Sequence, residues 1–518
     1  MAALMVASVA SAAAPSGGVL AWGQNTTGQL GTGNTTSSSV PISTALPAGT
    51  IITDVAAGSA HSLAVTATGR VLAWGQNTFG QLGNATTTNS SAPISASIPA
   101  GTIITAVAAG SGHSLALTST GQVLAWGQNT FGQLGNGTTT NTNVPVLTSL
   151  PAGTTVIAIA AGAGHSLALT STGQVLAWGQ NSYGQLGNAT TTNSSTPVRT
   201  SLPAGTTAVA VAAGSYHSLA LTSTGRVLTW GYNSYGQLGN ATTTSSNVPV
   251  TTSLPAGTTV TSVAGGTYHS LAVTSTGQVL AWGYNGYGQL GNGTSTNTNV
   301  PVNTSIPAGI TITDVAGGAL HSVAVTSAGR VLAWGYNFYG QLGNGTTATS
   351  NVPVNTSIPA SETVEAIAAG SYHNLAIAES TQPPFGISTA FYTPSGGTQP
   401  TKYIGYVNGT LHVYVRSEFD TAAGNWVDIA ATSLAGPPPL DALEISLASG
   451  DRITGNPPSA TPVLTITIRD TNNDVYESDC TSAPATPAGR LSACSRWKPY
   501  SRPGAASAAS TRAGRGPE

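Results

Sequence analysis

Residues 51–83 read IITDVAAGSAHSLAVTATGRVLAWGQNTFGQLG, and near-copies of this stretch follow one another along the chain. Tryptophans recur at an interval of 52 residues, and histidines keep the same interval. The two series are Trp22, Trp74, Trp126, Trp178, Trp230, Trp282 and Trp334, and His61, His113, His165, His217, His269, His321 and His373. Such a constant period indicates one structural unit copied seven times.

Each unit contains short apolar runs separated by glycine, serine and threonine. The runs at residues 51–57, 61–66 and 71–75 predict three strands, and a fourth is expected near residues 92–94. No window shows the sustained 3.6-residue period of a helix. Three or four strands per unit is the pattern of a β-propeller blade, in which the large repeated tryptophan is expected to be buried.

The series of repeats starts and ends in the middle of a unit. Residues 18–23 carry the tryptophan half of a unit, and residues 371–377 carry the histidine half. Joining the two halves completes a seventh blade and removes two sheet edges that would otherwise invite aggregation. We therefore expect an all-β, seven-bladed propeller whose N- and C-terminal strands share one blade.

The repeat also resembles a known family. The pattern GxxHSLALTxxGxVLAWGxNxYGQLG, over residues 17–379, resembles the repeat of the regulator of chromosome condensation family. The resemblance implies a seven-bladed propeller. It leaves the function open, because members include a nucleotide-exchange factor for a small GTPase, ubiquitin-ligase domains, a plant light receptor and a secreted bacterial inhibitor of β-lactamases. By context the secreted bacterial members are nearest, although the resemblance does not carry over their target.

Composition divides the chain into five parts. Residues 1–16 are apolar and small, which predicts a truncated secretory signal segment, with a disordered alanine-rich N-terminus as the alternative. Residues 17–379 form the propeller, and residues 380–400 are a Pro/Gly-rich linker. Residues 401–483 predict a β-sandwich-like domain with a hairpin at Asn408-Gly409. Residues 484–518 predict a basic disordered tail, or an unnatural end caused by a sequencing frameshift.

Charge and cysteine content limit the cellular compartments and the classes of partner that are expected for this protein. Only 6% of the residues are charged, so the surface has little field with which to attract nucleic acid. The only cysteines, Cys480 and Cys494, are expected to form a disulfide, which favours an oxidising compartment. No apolar run reaches the 18 residues that would predict a membrane-spanning helix. We expect a secreted or cell-surface monomer.

The repeated His-Ser pair is the first candidate for chemistry. A ring of histidines cannot bring several ligands to one metal ion, so each His is predicted to bond backbone atoms inside its own blade. Adjacent strand residues point to opposite faces, so a His-Ser nucleophile is not expected either. Residues 470–474 offer oxygen ligands for calcium, but a hairpin turn is preferred there. No catalytic residue, metal or cofactor is predicted.

The copies differ in one informative way. After Trp-Gly, the first four copies carry Gln24, Gln76, Gln128 and Gln180, whereas the last three carry Tyr232, Tyr284 and Tyr336. Tyr216, Tyr268 and Tyr372 precede repeated histidines, and Phe338 replaces a small residue. These seven aromatics are the predicted partner-binding residues, for a protein or a glycan. Drift among duplicated copies is the alternative. Tyr235, Tyr287 and Tyr339 occupy a consensus position and are predicted to be scaffold.

The sequence thus favours a secreted, non-enzymatic binding propeller that uses aromatic residues of its late blades. Two other classes stay open. One is an intracellular nucleotide-exchange or chromatin-type regulator, which the sparse charge disfavours. The other is an enzyme with its site in the C-terminal domain.

Overall fold

The computed structural model describes residues 18–380 without a break, and nine strands between residues 388 and 499. Side chains are described for residues 18–379. The predicted signal segment, residues 1–16, lies outside the described residues. Two compact units are present, Met1–Glu379 and Ser380–Glu518.

Each blade of the first unit is a four-stranded antiparallel sheet. Blade 1 consists of β3 (Ile52–Ala57), β4 (His61–Thr66), β5 (Val71–Gly75) and β6 (Ser90–Ser95), paired in that order. The outer strand β6 confirms the fourth strand predicted near residues 92–94.

Blades 2 to 6 repeat this arrangement. Blade 2 consists of β7 (Ile104–Ala109), β8 (His113–Thr118), β9 (Val123–Gly127) and β10 (Thr142–Leu147), and blade 3 of β11 (Val156–Ala161), β12 (His165–Thr170), β13 (Val175–Gly179) and β14 (Ser194–Arg199). Blade 4 consists of β15 (Ala208–Ala213), β16 (His217–Thr222), β17 (Val227–Gly231) and β18 (Ser246–Thr251), and blade 5 of β19 (Val260–Gly265), β20 (His269–Thr274), β21 (Val279–Gly283) and β22 (Thr298–Asn303). Blade 6 consists of β23 (Ile312–Gly317), β24 (His321–Thr326), β25 (Val331–Gly335) and β26 (Ser350–Asn355).

Blade 7 joins the two ends of the propeller. Its strands are β27 (Glu362–Ala369) and β28 (His373–Ser380) from the end of the propeller, with β1 (Gly18–Gly23) and β2 (Ser38–Ser43) from its start. The sheet order is β2-β1-β28-β27, and β1 pairs with β28 from Gly18 opposite Ala378 to Gly23 opposite His373. The predicted ring closure and the seven-bladed all-β fold are therefore confirmed.

The core lies between blades rather than inside them. The second and third strands of blade 1 are buried along their whole length, and Leu63 and Val65 pack against Ile104 and Trp126 of blade 2. The indole Nε1 of Trp126 donates to the carbonyl of Gln81, in blade 1, at 2.8 Å. All seven repeated tryptophans are fully buried, as predicted, and each one stabilises the contact with the preceding blade.

The last glycine of each Gly-Gln-Leu-Gly motif belongs to the same contact. Gly83 has a φ of +68°, and a Cβ atom there would lie 2.7 Å from Nε1 of Trp126. Only glycine can adopt this positive φ and also lie so close to the Trp126 ring without a shift of the neighbouring blade. The motif is therefore explained by blade packing rather than by phosphate binding.

The second unit contains two antiparallel sheets. The first comprises β29 (Ser388–Tyr392), β30 (Thr401–Asn408), β31 (His412–Ser417) and β32 (Val427–Asp428). The second comprises β33 (Ala442–Thr454), β34 (Ser459–Asp470), β35 (Val475–Ser482), β36 (Leu491–Cys494) and β37 (Lys498–Pro499).

These strands bear on several predictions for the C-terminal region. Strand β30 pairs with β31, with Asn408 opposite His412; residues 409–411 lie outside the described residues, and the hairpin turn predicted at Asn408-Gly409 stays a prediction. Strand β29 lies in the range predicted as a linker, and β36 and β37 lie in the range predicted as a disordered tail. Cys480 is opposite Cys494 on neighbouring strands, while the disulfide itself and the sandwich arrangement stay predictions. Residues 471–474, weighed for calcium, lie outside the described residues.

Candidate functional site

The predicted partner-binding tyrosines meet at one end of the blades. Tyr216 lies in the turn between the first and second strands of blade 4, and Tyr232 follows its third strand. The amide of Tyr232 donates to the carbonyl of Tyr216 at 2.9 Å, and Tyr284 and Tyr268 repeat this bond at 2.8 Å in blade 5. Antiparallel pairing therefore places both tyrosine positions on the same face of the propeller.

Rings from neighbouring blades touch one another around this face. Tyr216 stacks on Tyr268 of the next blade with ring centroids 5.7 Å apart, and Tyr336 of blade 6 lies 5.9 Å from Tyr372 of blade 7. Tyr336 also stacks on Phe338, at 6.4 Å. The structure thus brings the seven predicted residues into one zone spanning blades 4 to 7.

The consensus aromatics Tyr235, Tyr287 and Tyr339, predicted to be scaffold, extend this zone. Tyr235 lies 5.0 Å from Tyr284, and Tyr287 lies 5.0 Å from Tyr336, so they connect one blade to the next. Tyr287 is 40% exposed and Tyr183, in blade 3, is 42% exposed. Their strict period made them resemble core residues, whereas the turn that carries them faces solvent.

We call the continuous cluster the aromatic arc. Its eleven residues are Tyr183, Tyr216, Tyr232, Tyr235, Tyr268, Tyr284, Tyr287, Tyr336, Phe338, Tyr339 and Tyr372. Phe338 is its most exposed member, at 65%. Blades 1 and 2 present Gln76 and Gln128 at the position of Tyr232, so the face has an aromatic sector and a polar sector.

The hydroxyl groups of the arc are available to a ligand. Within residues 18–380, no hydrogen bond joins an arc hydroxyl to another protein group; Tyr183 and Tyr287, for example, bond the neighbouring glutamine through their backbone nitrogens. Burial, together with nearby tyrosines, raises the pKa of Tyr268, Tyr284 and Tyr336 above the ordinary value of 10.0. These three hydroxyls are therefore protonated at neutral pH and can donate hydrogen bonds.

Charged groups lie away from this face. Arg70 and Arg226 occupy turns between second and third strands, at the opposite end of the blades. Asp54 lies on β3, where one carboxylate oxygen accepts a hydrogen bond from the amide of Val107 at 2.9 Å; burial of this carboxyl raises the pKa of Asp54 to about 7. None of the charged residues within 18–380 belongs to the turns that carry the arc.

The mouth of a central channel opens beside the arc. The channel has a volume of about 140 Å³ and is lined by small residues, including Gly214 and Gly266. Ser215 and Thr267 line it immediately before Tyr216 and Tyr268, and the Ser215 hydroxyl donates to that of Thr267 at 3.0 Å. A ligand on the arc would therefore border a narrow, uncharged opening.

The repeated histidines form a buried belt between blades, which corrects the prediction that each bonds inside its own blade. Nε2 of His61 lies 3.0 Å from the Ser114 hydroxyl of the next blade. That hydroxyl lies 2.8 Å from the carbonyl of Gln81, to which it donates its hydrogen. Nε2 must then carry the imidazole proton. His321 fits the same scheme, with Nε2 2.9 Å from the amide oxygen of Asn374.

The belt joins neighbouring blades through buried side chains, and the Nδ1 atom of each histidine has no hydrogen-bond partner in the described structure. Its histidines are fully buried, and burial lowers the pKa of His61 to about 4 and that of His113 to about 3. The partner of each histidine is a serine or asparagine of the next blade, an arrangement that reasoning along one strand did not find. Residues 18–379 hold no group of three His, Cys, Asp or Glu side chains placed to bind one metal ion.

The described residues contain no helix of the length and apolarity needed to cross a membrane.

Known proteins share this repeat and this fold. The RCC1-like domain family matches residues 2–252 and 146–393. The ultraviolet-B receptor UVR8 of Arabidopsis thaliana is 33% identical over 336 residues, which are 65% of this chain and 76% of that protein. The human E3 ubiquitin-protein ligase HERC2 is 35% identical over 364 residues, which cover 69% of this chain but only 8% of HERC2.

A solved structure agrees in fold. Prp20p of Saccharomyces cerevisiae, described with its binding properties to Gsp1p and histones, is 25% identical with a TM-score of 0.63. The match covers 71% of this chain and 92% of Prp20p. The family match, the relatives and the closed seven-bladed ring agree, and the chain belongs to the RCC1-like domain family.

Proposed function

We propose that the propeller is a non-enzymatic binding module whose aromatic arc recognises a protein partner. One observation carries this proposal: eleven aromatic rings form a continuous, partly exposed cluster on one face, with no charged residue among them. A few aromatic anchors commonly supply most of the energy of a protein interface. Drift among copies would scatter aromatic substitutions, whereas here they fall on turns that touch.

The proposal includes location and assembly. The apolar, small-residue segment at residues 1–14 supports secretion or display at the cell surface. Pairing of β1 with β28 closes the ring of blades, so neither strand is left as an open edge that could pair with another chain. This closure supports a monomer. Fractionation of the native host into cells and medium tests the location, and a protein found only inside cells would contradict it.

A regulator that binds a GTPase or histones is the second candidate, because Prp20p was studied with Gsp1p and histones. Histones are strongly basic, and a surface that binds them usually carries acidic groups. Within residues 18–380 the arc face has none, since Asp54, Asp314, Glu362 and Glu365 lie on first strands and Glu379 lies near the end of β28, away from the arc turns. The neutral face therefore favours the first candidate.

The decisive experiment is affinity capture with wild-type protein and a triple variant, Tyr232→Gln, Tyr284→Gln and Tyr336→Gln. Glutamine stands at the same position in the early copies, for example Gln76, so the variant is expected to fold normally. Binding to the captured partner should weaken about 30-fold, which corresponds to roughly 2 kcal/mol.

A matched control is Phe79→Gln, because Phe79 is 37% exposed in the polar sector and belongs to no ring contact of the arc. The control should leave affinity unchanged. Equal affinity of the folded triple variant and the wild type would reject the arc as the binding surface.

A further inference from the structure

We infer that the segment recognised by the aromatic arc is an uncharged, proline-rich peptide in the polyproline II conformation. This inference rests on the proposed function and adds the chemistry of the partner. It follows from three properties of the arc: its neutrality, its relief and its surplus of hydrogen-bond donors.

Neutrality excludes strongly charged ligands. Nucleic acids and acidic or basic peptides gain affinity from opposite charges on the protein. The turns that carry the arc contain tyrosine, phenylalanine, serine, glycine and asparagine, as in the stretch Gly231–Tyr235 with Tyr232, Asn233 and Ser234. A charged segment placed here would lose hydration without gaining a counter-charge.

The relief of the arc favours a peptide over a sugar. Tyr232 meets Tyr183 at 4.8 Å with planes inclined by 61°, and Tyr287 meets Tyr336 at 5.0 Å and 67°. Most neighbouring rings of the arc are inclined in this way, and only Tyr216–Tyr268 and Tyr336–Phe338 are stacked, so the arc presents a ridged surface rather than one flat face. Sugar rings stack on open, flat aromatic faces, whereas proline-rich helices lie in grooves lined by aromatic rings.

The hydrogen-bonding groups of the arc match this peptide class. The tyrosine hydroxyls make no hydrogen bond to another protein group within residues 18–380, and a tyrosine hydroxyl can donate one. Burial raises the pKa of Tyr268, Tyr284, Tyr336 and Tyr372, which keeps these four hydroxyls as donors. A polyproline II segment has no internal hydrogen bonds, and its carbonyls are free to accept. Proline has no backbone N–H, so burial of the segment leaves no unpaired donor. The preformed helix also loses little conformational entropy on binding.

The test uses isothermal titration calorimetry on the full chain with N-acetyl-decaproline amide as the probe. A Gly-Ser decapeptide of equal length and neutral cellohexaose serve as comparison ligands. Each ligand is titrated into wild type, the Tyr232→Gln/Tyr284→Gln/Tyr336→Gln variant and the Phe79→Gln control. We expect saturable binding of decaproline to wild type and to the control, and binding at least about tenfold weaker to the triple variant.

Other outcomes overturn the inference in distinguishable ways. Tyrosine-dependent binding of cellohexaose without decaproline binding would assign the arc to glycans. Decaproline binding that the triple variant retains would place the peptide elsewhere. If no probe binds while capture of the native partner still depends on the three tyrosines, the polyproline inference fails and the proposed function stands. If capture is also independent of them, both fail.

Discussion

Acidification should unfold this propeller, because its seven repeated histidines are buried as neutral rings. Burial lowers their pKa values to about 3 or 4 in the folded state, from an ordinary value of 6.5. The unfolded chain therefore binds more protons than the folded chain between about pH 6.5 and pH 3. Stability is full above pH 6.5 and falls as the pH decreases through this window.

The magnitude follows from linkage. Between pH 7.5 and pH 5.5, each histidine reduces the free energy of unfolding by about 1.3 kcal/mol, because only the unfolded imidazole becomes protonated. Seven histidines together give about 9 kcal/mol, which is comparable to the total stability of many domains, roughly 5–15 kcal/mol.

Buried carboxyl groups act in the opposite direction. Burial raises the pKa of Asp54 to about 7, so the folded state gains a proton as the pH falls and recovers about 2 kcal/mol. Burial also raises the pKa of Asp314. The net loss for the propeller is then about 7 kcal/mol before other carboxyl groups are considered.

Urea unfolding followed by tryptophan fluorescence at pH 7.5, 6.5 and 5.5 measures this loss. The repeated tryptophans are fully buried and should report the transition. Near pH 5.5 the slope of stability against pH should correspond to an uptake of about five protons on unfolding. A change below about 1 kcal/mol across this range would refute the neutral, buried belt. So would NMR signals of the seven repeated histidines that titrate near pH 6.5 in the folded protein, measured apart from the signal of His412.

Three further predictions concern the scaffold. Deletion of residues 1–50 removes β1 and β2 and should cause aggregation on size-exclusion chromatography; a monomer with unchanged melting would contradict ring closure. Trp178→Ala should lower the free energy of unfolding by about 3–5 kcal/mol in urea titrations, and a loss below about 1 kcal/mol would be inconsistent with its burial. Ala85, Ala189 and Ala241 have a φ of 63°, where other copies have Gly137, Gly293 and Gly345. Replacing each alanine by glycine should raise stability by roughly 0.5–1 kcal/mol, and no rise in melting temperature would argue against strain there.

Much of the fold follows from local pattern. Short apolar runs bounded by glycine and serine predict strands, and the 52-residue period sets their number per unit. The phase of the period shows that residues 18–23 must pair with the last histidine half, as the contact of β1 with β28 confirms. These features depend only on the order of residues along the chain, which the sequence states directly.

The histidine belt shows where such reasoning stops. His61 and Ser62 are adjacent and point to opposite faces, so a single strand suggests that they do not interact. In the ring, His61 bonds Ser114 of the next blade, and His373 bonds Ser62 across the closure. The interaction depends on how one sheet packs against its neighbour, and no spacing within one unit contains that information.

The aromatic arc, too, could be predicted only in part from the sequence. The sequence by itself determined the seven-bladed ring, the burial of the tryptophans and the sector in which extra tyrosines accumulate. Only the tertiary structure decided that Tyr183, Tyr235, Tyr287 and Tyr339 join them and that their rings form one ridged surface. The physical reason is that blade packing brings side chains from separate copies to within ring-contact distance, and a repeated sequence does not distinguish a buried repeated position from one exposed at a turn.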